Sequence, residues 1–381
     1  MTLVLVSSGG DVLGALPPFE VELPWWSEVT SVVSAARSRF GVAVTVLRLL
    51  STSLPEQPGG AVTYLAEVAS AVGIALAPAS VDLAPHPLRA PYASVGGPSR
   101  SLRWAGSFSA AVQVKTWNLS SLWRLETGDG TVWLKELPTF LRGETAVLRW
   151  VNAVAPDAAP TLLAADGEGR QLLSHLPGED RFGAPEADRL PMAELLHGIQ
   201  VRFLADRPGL DGIRDRRGPL LLEQITAVAS PWLARIDGLE EVIAALPGRL
   251  AQLAACGVPE TLVHGDFHPG NVRSSDGVRP AALDWGDAFL GHPGFDILRL
   301  SVGLASSTAL LDRWASLWRA AVPGCDPLRA VALLRPVAPL LGAVVYGAFL
   351  ENIEPSEWPY HLEDVPNCLK AAVENFVVPM L

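Results

Sequence analysis

Two short stretches decide how this chain of 381 residues folds. The first is His264-Gly265-Asp266-Phe267-His268-Pro269-Gly270-Asn271, which follows the apolar run Thr261–Val263. The second is Asp284-Trp285-Gly286, thirteen residues after Asn271 at the end of the run Ala281–Leu283. Each run reads as a short strand that leads straight into a carboxylate. An aspartate and an asparagine five residues apart on one loop can supply a base and an oxygen ligand for Mg²⁺. A second aspartate on the neighbouring strand supplies another ligand. Phosphoryl transfer needs that set: a carboxylate to orient the attacking hydroxyl, and oxygen donors to hold a metal against nucleotide phosphates.

Working upstream, Val132-Trp133-Leu134-Lys135 ends the third of three short strand patterns, 111–115, 121–126 and 131–136. The last two join at Gly128-Asp129-Gly130, a hairpin turn. Lysine is rare here, with Lys115, Lys135 and Lys370 the only ones. A helix is expected over 140–154, where Val147, Leu148 and Val151 stand three, four and seven residues after Glu144. That apolar face must pack on the sheet, so Glu144 is expected to point toward Lys135 and hold it against phosphates. A protein kinase's H-R-D-L-x-x-x-N, D-F-G and strand-three lysine have this spacing, with Gly and Trp substituted here.

On these residues the chain resembles the aminoglycoside phosphotransferase and choline kinase group, small-molecule kinases with a protein-kinase-like fold. The resemblance runs from about residue 105 to the end. It is most specific over 262–271, over 282–288 and over Gly291-His292-Pro293-Gly294-Phe295-Asp296. It implies Asp266 as catalytic base, Asn271 and Asp284 as Mg²⁺ ligands, Lys135 with Glu144 at the nucleotide phosphates, and ATP or GTP as donor. It implies His264 as a brace for the loop and Asp296 as a structural carboxylate tying the next helix to it. The phosphate-covering stretch, Thr116 to Ser121, departs by having no glycine. Backbone N–H groups and the hydroxyls of Ser120 and Ser121 are expected to serve instead. Backbone groups near Ser174 and Leu176 would meet the adenine. In the related antibiotic kinases acidic residues late in the helical lobe meet ammonium groups. Glu351, Glu354 and Glu357 are the candidates here, a solvated acidic face being the alternative.

The expected fold is α+β: a two-lobed, protein-kinase-like arrangement of a small β-rich lobe (105–176) and a helical lobe (177–381). In front stand a small α/β domain (1–77) and a Pro-rich linker (78–104). In the front segment strands are expected at 2–6, 19–23, 42–50 and 61–68, a helix at 26–40 closed by Gly41, and a loop from Pro55 to Gly60. The helix and its following strands resemble a Nudix-type domain. The stretch Ser34-Ala35-Ala36-Arg37-Ser38-Arg39 carries no carboxylate for that chemistry, so a cap, dimer contact or packing element is expected.

Composition narrows the partners. The formal charge is −11, from 29 basic against 40 acidic residues. That is the wrong sign for a nucleic-acid binder. Three scattered cysteines form neither a disulfide framework nor a zinc site. The N-terminus lacks the basic start of a signal peptide. The longest apolar stretch, 337–350, is shorter than the ~20 residues that span a bilayer. A cytoplasmic protein without membrane or nucleic-acid partners is expected. Its reaction would be Mg²⁺-dependent phosphorylation of a hydroxyl on a small molecule. The favoured acceptor is an antibiotic, an aminoglycoside or another hydroxylated natural product, nucleoside types included. The alternatives are a metabolic kinase for a sugar or amino alcohol, or a non-catalytic nucleotide-binding module.

Overall fold

The computed structural model describes residues 1–22, 25–53, 60–70, 72–275 and 279–377. The chain divides into two compact units. The first comprises Met1–Phe140, Leu163–His175 and Ala348–Glu363, and the second comprises Leu141–Leu162, Leu176–Gly347 and Asp364–Leu381. The front segment, the linker and most of the β-rich segment therefore fall in one unit.

In the first unit the front segment forms a four-stranded sheet in the order Val12–Ala15, Thr2–Ser7, Val62–Val68, Thr45–Thr52. Alternation along these strands gives the sheet two buried faces. Leu3, Leu5 and Tyr64 pack with Trp26 and Val32 on one side, and Val4, Val6, Leu47 and Leu65 form the other. The strand beside Thr2–Ser7 is Val12–Ala15 and not the expected 19–23; Phe19 spends its N–H on the carbonyl of Met1. Position 23 lies outside the described residues, as does the expected loop apart from Gly60. The helix is Thr30–Phe40, closed by Gly41 at φ 68°, and it starts four residues later than expected. The reason is local. The carbonyl of Trp26 accepts from the Tyr64 hydroxyl at 2.7 Å, and Glu28 bridges to Lys115, so neither continues a helix.

The second sheet of this unit has the order Ala110–Trp117, Ser120–Thr127, Gly130–Glu136, Arg170–Ser174, Leu162–Ala165. The last strand carried no clear pattern in sequence. Gln113 welds the two sheets. Its amide oxygen accepts from Val46 N–H at 2.9 Å and its amide nitrogen donates to the Val46 carbonyl at 2.7 Å, both buried. The linker is not extended throughout. Gly97–Ala105 is a helix, and Ser101 on it hydrogen-bonds the buried Glu136. Gly97 is required there, because a Cβ would lie 2.1 Å from the Pro91 carbonyl oxygen.

The second unit is mostly helical, with Gly143–Val154, Glu186–Asp206, Gly218–Ala229, Leu239–Ala255 and Gly294–Ser301 among its helices. Glu186–Asp206 presents Met192, Leu196 and Ile199 to the interior, as their spacing dictates. Two three-stranded patches carry the chemistry-bearing loops. Thr261–Val263 pairs antiparallel with Phe289–Gly291, which pairs parallel with Arg214–Asp215. Val272–Ser274 pairs with Ala281–Ala282 and with Glu179–Asp180. Residues 264–271 are thus held at both ends by sheet, and Asp284 follows the adjacent strand. Among the described residues no single helix is long and apolar enough to cross a membrane. The bent pair Pro327–Leu334 and Val337–Glu351 passes by length and composition together, at an angle of 56°.

Candidate active site

The loop 264–271 is built from its supports inward. Asp296, buried on the helix Gly294–Ser301, accepts from His264 N–H at 2.9 Å and Gly265 N–H at 3.0 Å, and from the Gln200 amide at 3.0 Å. Burial pushes its carboxyl up to about 7, against the pull of those donors. His264 is fully buried, and its Nε2 meets the Leu283 carbonyl at 2.9 Å, tying the loop to the strand before Asp284. Burial brings this imidazole down to about 4, so it is neutral at physiological pH. Gly265 has φ +89°, and a Cβ there would meet the Asp287 carbonyl oxygen at 2.3 Å. Only glycine fits.

Asp266 stands at the open end of this frame. Its Oδ1 accepts from Arg299 Nε at 2.8 Å, and its Oδ2 lies 3.2 Å from Asn271 Nδ2 and 3.5 Å from His268 Nε2. Burial works against its ionisation, but the His268 contact and the Arg299 charge outweigh it and hold the carboxyl well below the usual range. Asn271 also donates to the Asp266 carbonyl at 3.0 Å. With its amide nitrogen committed twice, its carbonyl oxygen remains as the donor atom for a cation.

Asp284 is exposed and has φ 59°, ψ 66°, a left-handed conformation uncommon outside glycine. The next residue is anchored: Trp285 N–H donates to Glu144 Oε1 at 2.9 Å, and the indole packs 4.5 Å from the His264 ring. Glu144 thus has a role that sequence reading did not assign, as the acceptor that fixes the backbone after Asp284. Asp287 lies behind, its Oδ1 buried without a hydrogen-bond partner. Burial, with Asp266 and Asp284 nearby, raises it to about 6 against the opposing charges of Arg214 and Arg216. Arg214 donates to the Gly286 carbonyl at 3.1 Å.

The second unit therefore brings together Asp266, Asn271, His264 and Asp296, with Glu144 joined to the turn after Asp284. Leu176 also falls in this unit. Lys135, Ser120, Ser121 and Ser174 fall in the first. Lys135 is buried near the end of Gly130–Glu136, in register with Leu122 and Gln171. Ser121 is buried, and Ser120 accepts from the Trp117 indole at 3.2 Å. Arg299 was missed by sequence reading. The signal was its place three residues after Asp296 on one helix, which puts both on one face.

The three glutamates considered for the acceptor stand in different surroundings. Glu351, Glu354 and Glu357 belong to the first unit and share no open surface. Glu351 is exposed, but Glu354 is buried in a two-point pair with Arg89 at 2.7 and 2.8 Å. Glu357 is buried too, and burial with the Glu354 charge lifts it to about 8. The helical stretch before them is apolar and the loop after them packs Tyr360 between Trp26 and Trp117, at 5.9 and 5.6 Å. Those aromatic anchors draw the glutamates inward.

Among the described residues no three or more His, Cys, Asp or Glu side chains gather as a metal site. Asn271 and Asp284 nonetheless suit Mg²⁺, a hard cation that keeps waters and phosphate oxygens and takes only one or two side chains from the protein.

The profile of the phosphotransferase enzyme family matches residues 118–330, a span that contains Lys135, Glu144, Asp266, Asn271, Asp284 and Asp296. The chain belongs to that family, and it is a small-molecule phosphotransferase with an alcohol group as acceptor. By sequence no curated protein matches it. Among solved structures it is similar to the choline kinase LicA from Streptococcus pneumoniae, at 13% identity and TM-score 0.52, covering 73% of this chain and 98% of that one. It is similar to a putative aminoglycoside phosphotransferase from Ralstonia eutropha JMP134, at 15% identity and TM-score 0.50, covering 73% and 97%. The GDP complex of an aminoglycoside 2′-phosphotransferase IIIa mutant matches at 13% identity and TM-score 0.50, covering 74% and 98%. At these identities the likeness establishes the kinase-like fold.

Proposed function

We propose that the chain transfers the γ-phosphoryl group of ATP or GTP to a hydroxyl of a hydroxylated natural product of the antibiotic type, inactivating it. The observation that carries the reading is Asp266: an ionised carboxylate held by Arg299 and Asn271 on a loop pinned at both ends. Such a carboxylate orients an acceptor hydroxyl and takes its proton as the phosphoryl group arrives. Asn271 and Asp284 would hold Mg²⁺, which when bound offsets charge on the donor phosphates. Lys135 would add a fixed positive charge for those phosphates. His264 and Asp296 do no chemistry in this scheme; they keep Asp266 from moving, and misplacement by about 1 Å can cost 10²-fold.

The test is release of ADP or GDP from ATP or GTP with Mg²⁺, against a panel of hydroxylated antibiotics, nucleosides, sugars and amino alcohols. Products are read by phosphorus NMR. A phosphomonoester of an antibiotic is expected, with turnover lost on chelation of Mg²⁺ and restored by adding it back. Phosphorylation of a sugar or amino alcohol alone would replace the acceptor assignment. Nucleotide binding without release under any acceptor would reduce the chain to a non-catalytic module.

A further inference from the structure

Phe182 and Val302 are 80% and 59% exposed, the two highest values for large apolar side chains among the described residues. Apolar side chains scattered singly over a surface need no explanation. These two are not scattered. Both stand on loops of the helical unit beside Asp266. Phe182 lies against the loop 264–271: a Cβ on Gly270 would meet its Cδ2 at 3.1 Å, and its ring stands edge-on to His268 at 6.5 Å. His268 Nε2 in turn is 3.5 Å from Asp266 Oδ2. Val302 caps the helix Gly294–Ser301, three residues beyond the Arg299 that donates to Asp266 Oδ1.

One buried side chain ties the two loops together. Arg189, 4% exposed, donates from Nε to the Ala184 carbonyl at 2.8 Å and from Nη1 to the Leu300 and Val302 carbonyls at 2.6 and 2.8 Å. Arg181 N–H donates to the Pro269 carbonyl at 3.1 Å, and Phe182 N–H donates to Asp180 Oδ1 at 3.1 Å. The backbone that carries Phe182 and Val302 is therefore held in place while both side chains are left in water. A ligand that covers them gains the burial of apolar surface and spends little on ordering the loops. A wholly polar acceptor gains nothing from either. We propose that Phe182 and Val302 are specificity-determining residues that select an acceptor with an apolar flank beside its hydroxyl, a role that rests on Asp266 receiving that hydroxyl.

Octyl β-glucoside and methyl β-glucoside carry the same sugar hydroxyls and differ in the apolar chain alone. Titration calorimetry of the full chain with each, below the micelle concentration of the octyl compound, reads binding without requiring turnover. The octyl compound is expected to bind about tenfold or more tighter than the methyl compound. Phe182→Ser and Val302→Ser, both at exposed positions, should keep the circular dichroism spectrum and each weaken octyl glucoside binding about threefold or more. The double variant should bind the two glucosides alike. Equal affinity in the wild type, no octyl glucoside binding at millimolar concentration, or a double variant that keeps the full preference would each overturn the proposal. Phosphoryl transfer without the octyl preference sinks the apolar flank alone. The preference without phosphoryl transfer to any acceptor supports the flank and sinks the role given to Asp266.

Discussion

Replacing Glu144 separates two jobs that one carboxylate can do. Its Oε1 accepts from Trp285 N–H at 2.9 Å, and the residue is only 2% exposed. Glu144→Ala leaves that N–H buried without an acceptor, at a cost of about 1–3 kcal/mol. The same bond holds the backbone that follows Asp284, whose left-handed conformation costs ~1–2 kcal/mol. Freed of the anchor, Asp284 can relax by that amount, and each 1.4 kcal/mol is tenfold in rate. Glu144→Ala should therefore lower kcat/KM about 5–30-fold from misplacement alone and lower Tm by several degrees. Glu144→Gln keeps an oxygen for Trp285 and loses only the negative charge beside the turn after Asp284. It should keep Tm near wild type and lose about tenfold in turnover. The assays are acceptor-dependent ADP release and a thermal melt of all three proteins. The reasoning fails if Glu144→Ala melts and turns over like wild type, or if Glu144→Gln melts as low as Glu144→Ala.

Three further predictions follow the same logic. Asp266→Asn should retain nucleotide affinity and lower kcat by about 10²–10⁴, the range for losing general acid–base help; unchanged kcat would remove Asp266 from the chemistry. Glu354→Gln breaks a buried pair with Arg89, whose side chains are 6% and 10% exposed. It should cost about 3–5 kcal/mol in a urea unfolding curve while acceptor KM stays put; an altered KM with intact stability would return Glu354 to the acceptor site. Glu357 titrates near 8 in the folded protein, against ~4.3 unfolded, so the folded state keeps an extra proton between those values. Its contribution to stability is complete below about pH 4 and is lost as pH rises toward 8. Glu357→Gln should flatten the fall in unfolding free energy between pH 5 and 8, and parallel curves for the two proteins would show that another group is responsible.

Much of the candidate site's layout was legible, because residues at fixed spacing beside short strands keep that spacing in one dimension. Asp266, Asn271 and Asp284 stand on loops bounded by short apolar strands in sequence and in space. Gly41 was legible for a similar reason, since a helix end that needs a left-handed residue leaves a local mark. What escaped was set by partners distant in the chain. Glu144 meets Trp285 across 141 residues, and Arg299 reaches Asp266 across 33. Their helix positions were legible locally, but the partners they meet were not. The start of the first helix moved because Tyr64 and Lys115 claimed Trp26 and Glu28. The glutamates near residue 354 read as a charged surface because charge pattern reports residue type, whereas burial depends on Tyr360 packing on Trp26 and Trp117. Sequence alone determined the reaction class, since chemistry is carried by residue identity and spacing. Tertiary structure alone decided which carboxylates are free to use, because burial and long-range hydrogen bonds decide whether a charge faces substrate or holds the fold.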